Sequence, residues 1–288
     1  MQFSKIYSSP LPNYKEENTP PFNELILSWN GLRPKVGKWN FSVSLKEGEW
    51  LPYAEWTSSG QRSFQSEGAF AQSYQDVVTP KEGLATRFQI KVEGDDLSGL
   101  HRLIVCLSNL TNHKIYAPQN LSPVLLPRVP RQSQLLLDHP RAKDLCSPTS
   151  TSTALNYLLG CRKIDPVAFA NATHDQGFDI HGNWILNVAE GYNQSRIPCH
   201  VERLTDFAAL HAQFLNGRPV VVSVKGILSG APKPYPSGHL ICVIGFEGGK
   251  VLCIDPAFPD NESTFIGYDL DDFLKAWGVR RNLSYVFP

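Results

Sequence analysis

Between Phe22 and about Leu126 the apolar residues of this chain tend to recur at every second position. In WNFSVSL they are Trp39, Phe41, Val43 and Leu45, and in RFQIKV they are Phe88, Ile90 and Val92. A period of two puts such side chains on one face of an extended strand, whereas a helix needs a period near 3.6. RLIVCLSNL is apolar in both phases and reads as a more fully buried strand. Clusters of Gly, Pro and Ser, such as TSSGQRS and TPKEG, separate the runs, and no amphipathic helix stands out. Many short alternating strands without helices predict a β-sandwich, jelly-roll-like in kind. Residues 1 to about 20 are polar and Pro-rich and are expected to form a loose arm.

The texture changes after the Pro-rich stretch NLSPVLLPRVP, which reads as a connector. PTSTSTALNYLL predicts a helix stopped by Gly160, LTDFAALHAQFLNG a second stopped by Gly217, and DLDDFLKAW a third. RPVVVSV, HLICVIGF, KVLCID and LSYVF read as strands, so this half is expected to be α+β with an antiparallel sheet at its C-terminal end. The expected division is a sandwich domain over 1–125 and a second domain over 126–288.

Charge narrows the partners. Lys+Arg and Asp+Glu number 27 each, and a balanced chain argues against nucleic acid or an anionic membrane as the main partner. No apolar run reaches a membrane-spanning length. The N-terminus lacks the continuous apolar core of a secretory signal, so the expected location is cytoplasmic, or secreted with the signal absent from this chain. The six cysteines form no CxxC pair, which suggests neither zinc nor a thioredoxin-type site. No metal or organic cofactor is expected.

One cysteine stands apart. In KDLCSPTSTSTALNYLLG, Cys146 precedes a Ser-Pro step, with Ser147 expected as N-cap and Pro148 as the first helical residue. A thiol there sits at the positive end of the helix dipole, which favours the thiolate. Alone, the position also fits a small buried residue. A base is available in His239, at the start of SGHLICVIGF after a Gly- and Pro-rich loop, and an orienting carboxylate in Asp255, which ends KVLCID. Taken singly, they could be a satisfied strand histidine and a turn-forming Asp-Pro. The EGGK turn decides whether the two meet. A plain two-residue turn throughout would set them on opposite faces. A three-residue turn with a glycine bulge, pairing Phe246 with Lys250, puts them on one face, and this bulged hairpin is the expectation. It also separates Cys242 from Cys253, so both are expected as buried core thiols. Trp184, in HGNWILN, is a candidate for lining a substrate cleft or for packing in a core or interface. In the first half Trp39 is expected in the core, while Trp50 and Trp56 are candidates for exposure, where they could stack on a carbohydrate or meet a protein ligand.

VPRQSQ, CSPTSTSTALNYLLG, GNWILNVAEGY, SGHLICVIGF, VLCIDPA and the closing FLKAW…SYVF resemble, in that order, bacterial cysteine peptidases similar to the bacteriocin-processing enzymes, a C-39-like family of the papain-like superfamily. The resemblance covers about 126 to 288. It implies a papain-like fold and a thiol hydrolase that cleaves peptide or isopeptide bonds of a peptide or protein substrate. It makes Cys146 the nucleophile, His239 the general base, Asp255 its orienter and Gln134 the oxyanion-hole donor, with Gln132 a nearby rival. Ser147 stands where the family commonly has glycine. Without a membrane segment or a P-loop, export of a leader peptide is not supported. The alternative is a papain-like binding module that is inactive or transfers acyl groups.

Overall fold

The computed structural model describes residues 3–116, 120–160 and 163–288. Two compact units emerge. The first runs up to His113 and takes back Ala172–Arg196; the second comprises Lys114–Asn171 and Ile197–Pro288. The division in space therefore differs from a single cut after residue 125. Residues 172–196 pack in the first unit, and the strand at 124–125 pairs in the second.

The first unit holds two antiparallel sheets. One runs β1 (Ser4–Ser9), β11 (Leu100–Ser108), β3 (Glu24–Gly31), β9 (Val77–Pro80), β8 (Ala71–Tyr74), β7 (Gln65–Glu67). The other runs β2 (Asn13–Glu16), β10 (Phe88–Gly94), β4 (Lys38–Lys46), β5 (Glu49–Thr57), β6 (Gln61–Ser63). The alternating residues form the core: Trp39, Phe41, Val43 and Leu45 of β4 and Phe88, Ile90 and Val92 of β10 are all buried. Trp29 of β3 stacks on Phe41 of β4 with ring centroids 4.1 Å apart, which joins the two sheets. The expected loose arm is instead two edge strands. Ser4–Ser9 pairs with β11 and Asn13–Glu16 with β10, and Tyr7 and Tyr14 set their rings edge-on to Phe88. Polar residues suit an edge strand, where one side stays in water.

Trp56 corrects a second expectation. It is fully buried against Trp29 and Trp39, whereas Trp50 is exposed. The cause is a bulge in β5. Phe41 faces Ala54 while Ser42 faces Pro52, so Tyr53 is an extra residue and the inward phase passes from odd to even positions.

The second unit is built on a seven-stranded antiparallel sheet. Its order is β13 (His200–Arg203), β18 (Leu283–Val286), β14 (Val220–Gly226), β15 (Tyr235–Glu247), β16 (Lys250–Ile254), β17 (Phe265–Asp269), with β12 (Val124–Leu125) beside β15. Phe207, Leu210 and Phe214 of α4 (Phe207–Leu215) and Phe273, Leu274 and Trp277 of α5 (Leu270–Val279) bury with Val220, Val222, Ile241 and Val243 of the sheet. Helix α1 (Cys146–Leu158) packs against β14 and β15. Its Ser- and Thr-rich surface is buried, and several hydroxyls turn back to carbonyls: Thr151 to Ser147 at 2.8 Å, Ser152 to Thr149 at 3.0 Å, and Ser150 across to Leu240 at 3.0 Å. Helix α2 (Pro166–Thr173) leads out of this unit, and α3 (Trp184–Ser195) packs on β3 in the first.

Candidate active site

Cys146 is the first residue of α1, so the helix starts two positions earlier than the Ser-Pro step suggests. Leu145 caps the helix without a side-chain bond, and the first intrahelical bond runs from Thr149 N–H to the Leu145 carbonyl. Pro148 thus falls within the opening turn, where a missing N–H leaves nothing unpaired. Ser147 is not the cap. Its hydroxyl lies 3.0 Å from that of Tyr285, in the interior.

The hairpin that carries the other two groups reaches the expected facing by a different route. Glu247 pairs with Lys250 across a plain two-residue turn, Gly248–Gly249, and both glycines have the positive φ such a turn needs. The extra residue lies inside β15, at Ile244. Beyond it Val243 faces Cys253 and Cys242 faces Ile254, so Asp255 follows on the same face as His239. The bulged turn expected from the sequence is therefore corrected to a bulged strand. Cys242 and Cys253 are unbridged, buried and on opposite faces.

These elements bring three side chains together. His239 Nε2 lies 2.7 Å from Asp255 Oδ1, and the imidazole and the Cys146 thiol are near enough to shift each other's titration. With Nε2 engaged, Nδ1 is the nitrogen left for sulfur. Asp255 is wholly buried. It accepts further bonds from Ala257 N–H at 2.9 Å, Tyr235 Oη at 2.7 Å and Tyr268 Oη at 2.6 Å.

Burial alone would push the Asp255 carboxyl up; the His239 charge and the converging donors outweigh it and hold the group below the usual carboxylate range. Burial would likewise depress His239, yet the Asp255 carboxylate and the bond to Cys146 push it up to about 10. For Cys146 burial opposes the thiolate, but the bond and charge of His239, with N–H groups of Leu240 and Ser147, bring the thiol below its ordinary value. Both shifts run in the direction that favours a thiolate beside an imidazolium.

Gln134 opens a short 3-10 turn in the same unit, its backbone N–H bonded to the Pro256 carbonyl just after Asp255. Its side-chain Nε2 donates to the carbonyls of Ala142 and Lys143, at 3.0 and 2.7 Å. Both amide hydrogens are thus engaged on the turn that leads into Cys146, while Oε1 is buried without a hydrogen bond. Gln132, the rival, donates to the neighbouring Ser133 carbonyl. Trp184 begins α3 in the first unit, its N–H donating to Asp76. Tyr235 and Tyr268 escaped the sequence reading, since a tyrosine four residues before a histidine gives no sign of touching it. Among the described residues no three His, Cys, Asp or Glu side chains converge as a metal site requires, and no helix is long and apolar enough to cross a membrane.

A family model described as the Peptidase C39 like family matches residues 127–285. Among solved structures, a candidate C39-like peptidase from Bacillus anthracis matches with 16% identity and a TM-score of 0.45, over 58% of this chain and 98% of that one. Comparison with curated proteins gave no match. The matched stretch is more than half of the chain and contains Cys146, His239 and Asp255, and cysteine peptidase activity is what such membership suggests: the chain belongs to the Peptidase C39 like family.

Proposed function

We propose that this protein is a papain-like cysteine peptidase that hydrolyses peptide or isopeptide bonds through an acyl-enzyme. One observation carries the reading: a single imidazole bonds a buried carboxylate at 2.7 Å and lies close enough to a helix-start thiol to lower its titration. Cys146 Sγ would attack the scissile carbonyl carbon. As the tetrahedral intermediate collapses the C–N bond breaks, and His239 gives its proton to the departing amine. Water then adds to the thioester carbonyl, losing a proton to His239, and the C–S bond breaks to release the acid. Asp255 holds the imidazole in one tautomer and offsets its charge. The Cys146 N–H at the start of α1 suits the oxyanion. Gln134 would join it by exchanging one of its two carbonyl bonds for the developing negative charge.

In the first unit we read the two sheets as a β-sandwich of jelly-roll type. Burial of Trp56 and the position of Lys91 Nζ, 5.1 Å above the Trp50 ring, leave little aromatic surface for a sugar, which favours a structural role. An inactive binding module is the weaker alternative, because the thiol, imidazole and carboxylate are all present and connected.

The test is labelling of the full chain with iodoacetamide at neutral pH, followed by mass spectrometry of a peptide library incubated with the protein. Selective modification of Cys146 that His239→Ala abolishes, together with cleaved peptides, is the expected result. Uniform labelling of several cysteines and an intact library would refute the reading.

A further inference from the structure

We infer that Tyr235 is a positioning residue for the proposed hydrolysis: its ring lies flat on the His239 imidazole while its hydroxyl grips the far oxygen of Asp255. The inference rests on the peptidase reading of the same site. The two rings stack with centroids 4.1 Å apart and planes 21° from parallel. The Tyr235 hydroxyl donates to Asp255 Oδ2 at 2.7 Å, and His239 holds Oδ1 at the same distance. Tyr268 donates to Oδ2 at 2.6 Å and anchors the carboxylate from β17.

Regular strand geometry forbids this contact. Residues four apart in a strand are about 13 Å apart, far beyond stacking range. Here His239 pairs with Val224 and Tyr235 with Gly226, so four steps along β15 span only two along β14. Pro236, Ser237 and Gly238 thus stand opposite Lys225 alone, two residues in surplus, and the bulge is closed by Gly238 at φ +100, a conformation that L-residues rarely adopt. The distortion folds the strand back so that the tyrosine ring reaches the imidazole.

The physical effect concerns one rotation. An imidazole held only by its Nε2 contact can pivot about that bond and swing Nδ1 away from sulfur. A ring pressed on its face stops the pivot and offers π-density to the imidazolium. The hydroxyl acts separately, spreading the carboxylate charge so that Asp255 orients the ring without taking its proton. Loss of the ring should therefore weaken the thiolate–imidazolium contact. Loss of the hydroxyl alone should leave Asp255 more basic and the imidazolium harder to deprotonate.

The rate of Cys146 alkylation by iodoacetamide as a function of pH reads both effects without knowledge of the substrate. Wild type is expected to show a plateau between an acid limb, where the thiolate forms, and an alkaline limb, where His239 deprotonates. Tyr235→Leu should raise the acid limb by about one pH unit and lower the plateau rate about tenfold. Tyr235→Phe keeps the ring; it should restore the acid limb and raise the alkaline one. Tyr235→Met serves if Tyr235→Leu does not fold, as judged by thermal denaturation. A folded Leu or Met variant with both limbs in place would overturn the inference and leave the peptidase reading intact. A wild-type Cys146 that titrates like an isolated thiol, unaffected by His239→Ala, would remove that reading and this inference together.

Discussion

Asp255 is the residue on which the electrostatics of the second unit turn. It is fully buried, accepts bonds from His239, Ala257, Tyr235 and Tyr268, and stays ionised because those donors outweigh the cost of burial. Linkage fixes the sign of its pH dependence. A carboxyl held below its unfolded value, about 3.9, stabilises the fold above that pH, and the contribution is lost as pH falls through the lower folded value. His239 acts in the opposite direction. Raised to about 10, it contributes fully below its unfolded value and loses that contribution as pH climbs toward the folded one. With an unfolded histidine near pH 6.5, the pair stabilises most between about pH 4 and 6.5. Asp255→Asn takes the buried carboxylate from the buried imidazolium and should cost about 3–5 kcal/mol near pH 6. Melting temperatures of the two proteins from pH 3 to 10 check this. Their gap should narrow below about pH 4 and again as pH rises past about 6.5. A constant gap across that range would mean that Asp255 matters through packing alone.

At the scale of elements, the hairpin β15–β16 shows what a sequence can and cannot reveal. Parity is legible: one surplus residue between the turn and the His239–Asp255 level puts both on one face, wherever that residue sits. Its location is not legible. Two glycines in EGGK invite a bulge at the turn, but the surplus residue is Ile244, and its neighbour Gly245 answers to a distant contact. A Cβ on Gly245 would lie 2.3 Å from the Val124 carbonyl oxygen, where β12 lies against β15. Nothing local in VIGFEGGK announces that approach. The same blindness hid the bulge at Tyr53 that buries Trp56, and the fold-back that joins Tyr235 to His239. The strands with a clear period of two, the helices α1, α4 and α5 and the general position of Cys146 were legible because period and capping chemistry are local, whereas α2, α3 and the two N-terminal strands were not. The two glycine roles can be separated by experiment. Gly245→Ala should cost about 1–3 kcal/mol, because backbone must move to admit the methyl group. Gly248→Asn, at φ +57 in the turn, should change stability by less than about 0.5 kcal/mol, since asparagine tolerates that conformation. Urea midpoints of the two variants provide the comparison, and equal losses would refute the assignment.

At the scale of the whole molecule, the order of residues in the chain and their order in space part company. The segment 172–196 follows the first helices of the second unit yet packs in the first, and Arg33 is one of the side chains that bind it there. Its guanidinium donates to Glu190 Oε2 at 2.9 Å, to the carbonyls of Ala172 and Thr57 at 2.9 Å each, to Gly60 at 3.2 Å and to the Gln61 side chain. The same guanidinium stacks 4.7 Å over the Trp56 ring. One planar fork thus joins the start of the segment, the middle of α3 and a loop of the sheets. A lysine, with one compact ammonium group, cannot serve so many acceptors. Buried Glu190 explains why the loss should be large: without the guanidinium, its carboxylate keeps bonds from Asn193 and Gln194 but no cation. Removing one member of a buried pair costs about 3–5 kcal/mol because the survivor remains charged in the interior. Arg33→Ala should therefore speed hydrogen exchange across α3, whose Ile185, Leu186, Val188 and Ala189 are buried, and should lower the melting temperature. Arg33→Lys should fall between this and wild type. Adding Glu190→Gln to Arg33→Ala should restore part of the loss, because the stranded charge is gone although the fork is still missing. If exchange in α3 stayed at the wild-type rate in Arg33→Ala, apolar packing on β3 would be sufficient, and the guanidinium would be a passenger in the cavity it fills.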